Sequence, residues 1–461
     1  MLNLKTFALT ILRFWPIIGQ PIYYSSYVEL CDYEGARNAS KIGTKTIFKD
    51  NEVHGGYFTV NKKLNINLYS LFVKSNTNWK EAPLIVWFQG QPGCTALYAV
   101  FGQNGPYRVN NELVLIKNEY AWTNEYNVLY LDSMIFMGYS YAQNASHVIP
   151  FLEDLGTYLY DALFQFYQIY SNIAGNDLYL SGEMYSGKYL LLLGHVIHRR
   201  NPISHLKMHL KGLIIGSGFS DPENMLQYSA FMYQIGLIDY TKMKEIQNME
   251  ESIKRSIRSY KFEIAQQQLL SVWIEMQLIG FDFPMDFTRA NKSFDPIVFQ
   301  FLQSTNFRNA LNLQQQTFYQ RNDVLPMIIG NRSLRAILEA NILQTAKYLL
   351  PNLLDHYRVL YYCGQFDMLV PYVHVTNFIK QLEWKGAEIY FNSEKIPRNN
   401  WYVDNELAGY WKSVYNLTDV LVRNASQMID VSQPKWAFNL IKTFLKNGFP
   451  YKKLFQQIET K

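Results

Sequence analysis

A doubly wound α/β mixed sheet carrying a helical insertion is the fold class this sequence predicts, and three observations predict it. Strand-like runs alternate with helix-like segments on both sides of the chain's middle, the pattern of strands joined by crossover helices. The run Leu84-Ile85-Val86-Trp87-Phe88 is apolar throughout, as a strand buried on both faces of a sheet must be. Residues 221–320 change character: they are rich in Gln, Met, Lys and Glu at helical spacing, with few strand runs.

Taken in order, residues 1–20 carry an early Lys5 and then an apolar stretch before Gly19, which reads as a signal peptide. Arg13 interrupts that stretch, and an amphipathic N-terminal helix is the rival reading. No other segment supplies the ~18 uninterrupted apolar residues of a membrane span. From about 55 to 135 the runs GYFTV, INLYSLFV, PLIVWF and VLYLD read as strands separated by Asn, Gly and Pro. A helix is predicted over 153–172, then the strand DLYLSG, a helix beginning near Tyr185 and a strand at 211–216. After the helical stretch the sheet pattern resumes with RVLYYCGQFDMLVP at 358–371, followed by EIYF and DVLVRNAS, and a last helix starts at Lys435. The expected organisation is a core of residues 21–220 and 321–461, with 221–320 as a cap over a cleft.

With 461 residues, nearly half of them apolar, the chain can bury a large core and is not a disordered tail. A net charge of +5 without a clustered Lys/Arg stripe argues against a nucleic-acid partner. Cys31, Cys94 and Cys363 are an odd number, so at most one bridge can form within the chain. A Cys94–Cys363 bridge is the alternative to separate buried thiols. Cys-x-x-Cys does not occur, and no metal or other cofactor is expected. Sequons at Asn38, Asn144, Asn291, Asn331, Asn416 and Asn424 are compatible with passage through the secretory pathway.

The segment from Leu180 to Gly187 reads strand, tight turn of small residues, helix start. This is the context of a nucleophile elbow, in which a sharp turn presents its central residue at the top of a sheet. Here the central residue is Met184.

Two stretches, APLIVWFQGQPGCTALYAVFGQNGPYRV and LSGEMYSGKYLLLLG, resemble the signature regions of the serine carboxypeptidases, most nearly their vitellogenic-like subgroup. The likeness runs from about residue 25 to 446 and implies the α/β-hydrolase fold. It also implies a Ser nucleophile where this chain has Met184, an orienting acid at Asp367, and a His base where this chain has Gln427. A thioether has no proton to give and no anion to attack with, and an amide takes no proton near neutral pH. In this fold the base follows the acid along the chain. The histidine available there, His374, lies seven residues on, too near to close a return loop over the elbow. Ser186 is the remaining hydroxyl near the turn, and a small-residue packing slot is the simpler account of it.

The resemblance further implies that the loop Gln89-Gly90-Gln91-Pro92-Gly93-Cys94 supplies an oxyanion-hole amide, with Tyr185 beside the elbow. Gln91 replaces a glycine there and crowds the approach to substrate. Glu183 matches a residue that holds the peptide's terminal carboxylate through a shared proton, and its acidic partner is here Gln103. The loop Asp132-Ser133-Met134-Ile135-Phe136-Met137-Gly138 has lost the family's Pro and first Gly. Losing nucleophile or base costs about 10⁶-fold in kcat in well-studied serine hydrolases. The expectation is a secreted or endolysosomal pseudoenzyme whose partners are peptide or protein C-termini, with a homodimer left open. The alternative is an active carboxypeptidase or acyltransferase that uses Ser186.

Overall fold

The computed structural model describes residues 20–43, 47–90, 94–133, 137–143, 152–280, 285–288, 296–313, 315–319, 341–392, 396–446 and 448–449. Among them the strands are β1 (Lys41–Ile42), β2 (Val53–Asn61), β3 (Ile66–Val73), β4 (Leu84–Phe88), β5 (Tyr107–Val109), β6 (Leu115–Lys117), β7 (Asn127–Leu131), β8 (Leu178–Glu183), β9 (Leu210–Gly216), β10 (Arg358–Gly364), β11 (Asn399–Val403), β12 (Glu406–Val414) and β13 (Leu417–Val422). All but β5 and β6 form one sheet in the order β1-β2-β3-β7-β4-β8-β9-β10-β13-β12-β11. From β7 to β13 every neighbour is parallel, and antiparallel strands flank that block on both sides. This is the α/β-hydrolase architecture, with its connections supplied by α1 (Tyr33–Ser40), α2 (Leu97–Gly102), α3 (Leu152–Ile169), α4 (Ser186–Arg200) and others.

Every residue of β3, β4, β7 and β8 is buried, which is why their sequences show no alternation. The two faces still divide by strand period: Leu84, Val86 and Phe88 enter one apolar cluster, with α3 and α4, and Ile85 and Trp87 the other. Between β9 and β10 lie α5 (Tyr240–Arg258) and α6 (Phe262–Leu278). Ile246, Ile253 and Ile257 of α5 pack with Ala265, Leu269, Val272 and Met276 of α6 in a third cluster. That cluster reaches Met368, in the turn after β10, so the helical stretch is anchored beside the sheet's carboxyl edge.

Two readings change. EIYF is not a strand: Ala387–Phe391 is a short helix, and its Tyr390 hydroxyl donates to buried Asp419 at 2.7 Å. A four-residue run carries too little periodicity to separate the two states. The strands β11 and β12 form a hairpin that the sequence reading passed over. Its turn residues Asp404 and Asn405 both have positive φ, +48° and +66°, as a two-residue turn matched to strand twist requires. No disulfide joins Cys31, Cys94 and Cys363, so the separate-thiol alternative holds. The segment 1–19, Gln91 and the sequons at Asn144, Asn291 and Asn331 lie outside the described residues; Asn38 and Asn424 are exposed.

Candidate active site

Strand β8 ends at Glu183 and α4 begins at Ser186, so the chain reverses within two residues. Met184 takes φ +51° to make the turn, a left-handed conformation that costs an L-residue about 1–2 kcal/mol. Backbone hydrogen bonds hold it there: Met184 N donates to Gly216 O at 2.8 Å, and Met184 O accepts from Phe219 N at 2.8 Å and Gly187 N at 3.1 Å. Close neighbours must be small. A Cβ on Gly90 would lie 1.5 Å from Glu183 O, and one on Gly182 2.5 Å from Phe88 O. The side chain of Met184 is 6% exposed and belongs to the apolar cluster on the α4 face. Ser186 is fully buried, and its hydroxyl donates to Glu183 O at 2.6 Å.

Asp367 sits in the turn after β10, fully buried. Its Oδ1 accepts from Leu369 N at 2.8 Å and Val370 N at 3.0 Å, while Oδ2 has no hydrogen-bond partner among the described residues. Burial pushes this carboxyl up to about 7. Gln427 lies in the loop after β13 and is also buried. The two turns touch: Phe366 N donates to Ala425 O at 2.8 Å, and a Cβ on Gly364 would come within 1.9 Å of Ser426 O. Met184, Asp367 and Gln427 thus follow the carboxyl ends of β8, β10 and β13. The short segment Met285–Thr288 spans the last two, since Gln427 N donates to Met285 O at 2.8 Å and Phe287 N to Phe366 O at 2.9 Å. That segment falls within 221–320, the stretch expected to cap the cleft.

His374 is elsewhere. It lies in the helix Tyr372–Lys380, its ring packed edge-on against Tyr228 with centroids 4.7 Å apart, and burial pushes it down to about 3. It is a neutral core histidine.

On the other side of the turn, Gln103 Nε2 donates to Glu183 Oε2 at 3.1 Å, joining the two residues expected to hold a terminal carboxylate. Both are buried. Burial raises the Glu183 carboxyl well above the usual range, with Asp430 and then Asp367 adding repulsion. Asp430 went unnoticed in the sequence, although it stands where the resemblance expects a proline. It is buried, its Oδ1 accepts from Trp122 Nε1 at 3.1 Å, and Arg108 donates to its backbone oxygen at 2.6 Å. Burial pushes Asp430 up to about 7. Gln89 Oε1 accepts from Trp87 Nε1 at 3.1 Å, leaving Gln89 Nε2, Gln103 Oε1 and Glu183 Oε1 without partners among the described residues. Tyr185 is buried against Tyr189, ring centroids 5.0 Å apart. Asp132 fixes the start of α2 by accepting from Thr95 Oγ1 at 2.8 Å and Ala96 N at 2.7 Å. Among the described residues no three His, Cys, Asp or Glu side chains are grouped to hold a metal ion.

A family profile described as "Serine carboxypeptidase" matches residues 44–447. The chain belongs to the serine carboxypeptidase family. Among its relatives, the venom serine carboxypeptidase of Apis mellifera is 35% identical, over 94% of this chain and 92% of that one. The vitellogenic carboxypeptidase of Aedes aegypti is 28% identical, over 94% and 91%. Relatives so named bear out the vitellogenic-like subgroup. The crystal structure of a prohormone-processing carboxypeptidase of Saccharomyces cerevisiae superposes with a TM-score of 0.76 at 21% identity, covering 89% of this chain and 96% of that one, and shares the fold. Met184 and Gln427 are the residues that the sequence resemblance places at the family's nucleophile and base positions. No helix among the described residues is long and apolar enough to cross a membrane.

Proposed function

We propose that this serine carboxypeptidase homologue binds peptide C-termini without hydrolysing them. The observation that carries the reading is Met184 at the apex of an otherwise well-formed elbow, with φ +51° and a buried side chain. No attacking oxygen is available at that point, and the amide of Gln427 cannot accept a proton from one. Ser186 does not substitute, because its hydroxyl is buried and spent on Glu183 O. The recognition half of the site is better kept. The Gln103–Glu183 pair, with Glu183 protonated by burial, offers a buried donor and acceptor to a terminal carboxylate.

The sequons, and a relative named as a venom component, support a secreted or endolysosomal glycoprotein delivered by a signal peptide. Two measurements test the binding reading. A peptide with a free C-terminal carboxylate binds more tightly than its amidated form, measured by fluorescence anisotropy; equal or absent binding contradicts the proposal. A fluorophosphonate probe leaves the chain unlabelled, and labelling lost in Ser186→Ala would instead assign Ser186 as a nucleophile.

A further inference from the structure

A cavity of about 350 Å³ opens at the antiparallel side of the sheet, walled by residues of α1, β1, the ends of β2 and β3, and the turn after α3. Two strands, β7 and β4, separate β3 from the elbow strand β8. The lining includes Arg37, Lys41, Glu52, His54, Lys74 and Trp79. Pairing of β2 with β3 sets the arrangement, because Lys74 N donates to Glu52 O at 3.0 Å and so holds the two side chains on one edge.

Charge in this cavity is unbalanced. Glu52 is the carboxylate serving both lysines: Lys41 Nζ lies 3.1 Å from it, Lys74 Nζ contacts it directly, and His54 Nε2 is 3.1 Å away. Burial pushes His54 down to about 4, so its ring is neutral at pH 7. Arg37 donates to Ile169 O and has no carboxylate partner among the described residues. Three cations therefore face one carboxylate, an excess of two positive charges in a half-enclosed space. Lys74 is nearly buried and seated over the Trp79 ring, 3.7 Å from its centroid. Desolvation and the nearby Lys41 and Arg37 all oppose its charge. A purely structural network would neutralise its cations; this one leaves Arg37 over, and a guanidinium fork matches the oxygens of phosphate and sulfate.

We propose that the cavity binds a compact oxyanion, a phosphate or sulfate group. Arg37 and Lys41 face the anion from the rim, and Lys74, seated on the Trp79 ring, supplies fixed charge from the wall. Ser171 and Asn172 add neutral hydrogen-bonding groups to the same lining.

The test is isothermal calorimetry on the full chain with inorganic phosphate, inorganic sulfate and chloride at matched ionic strength, then with p-nitrophenyl phosphate and p-nitrophenyl sulfate. The expected result is saturable one-to-one binding of phosphate or sulfate and not of chloride. Retained binding of the matching ester identifies an esterified group as the source, and its loss identifies the free ion. Arg37→Gln weakens binding about tenfold or more, the loss expected for a charge-assisted hydrogen bond. Lys41→Gln, on a side chain 47% exposed, weakens it in the same direction without disturbing the fold. Lys207→Gln, outside the cavity, leaves it unchanged. No saturable signal beyond chloride, or undiminished affinity in both cavity variants, overturns the site.

Discussion

Asp367, at the scale of one side chain, stands where the resemblance places the acid of a triad, with Gln427 where it places the base. In a working triad the acid's charge is answered by an imidazole that becomes cationic during the reaction. Gln427 offers no charge, and burial raises Asp367 from 3.8 to about 7. The folded chain then holds this proton more tightly than the unfolded one. Between about pH 4 and 7 the folded state binds more protons, so the contribution of this group to stability falls as pH rises through that window and is gone above it. Asp367→Asn removes the dependence. It stabilises the chain at pH 8 relative to pH 5, by on the order of 2 kcal/mol, in urea unfolding followed at both values. An equal effect at the two pH values contradicts a stranded carboxyl.

Elements explain why the elbow is well formed around Met184. The turn is built by backbone contact between β4, β8 and the loop after β9, and none of those contacts asks what the side chain at 184 is. Gly90→Ala places a methyl group 1.5 Å from Glu183 O, and we expect a loss of about 3 kcal/mol or more, or no soluble protein. An unchanged thermal midpoint contradicts this reading. Elements also set what could be read in advance. The strand LIVWF and the strand-turn-helix around Met184 were legible because continuous burial and a sharp turn leave local marks. The β11–β12 hairpin left a mark as well, adjacent Asp404 and Asn405, but it was overlooked. Met285–Thr288 and Asp430 were not legible, because their places are set by contacts with residues far along the chain: Phe366 and Gln427 for the first, Trp122 for the second.

The whole molecule is a two-faced sheet core with a helical stretch whose own apolar cluster meets the turn of Asp367 at Met368. The carboxyl ends of the parallel strands gather Met184, Asp367 and Gln427 and, beside them, the Gln103–Glu183 pair. At this scale, the proposed function has hydrolysis lost through two side chains within a frame that is otherwise well formed. The measurement that bears most directly on that claim is release of C-terminal amino acids from a mixed peptide pool, from acidic to neutral pH. It is made on the natural chain and on a Met184→Ser, Gln427→His double variant. The account predicts no release by the natural chain and measurable release by the double variant, whose restored pair would use the retained Asp367. Release by the natural chain, abolished by Ser186→Ala, would contradict it.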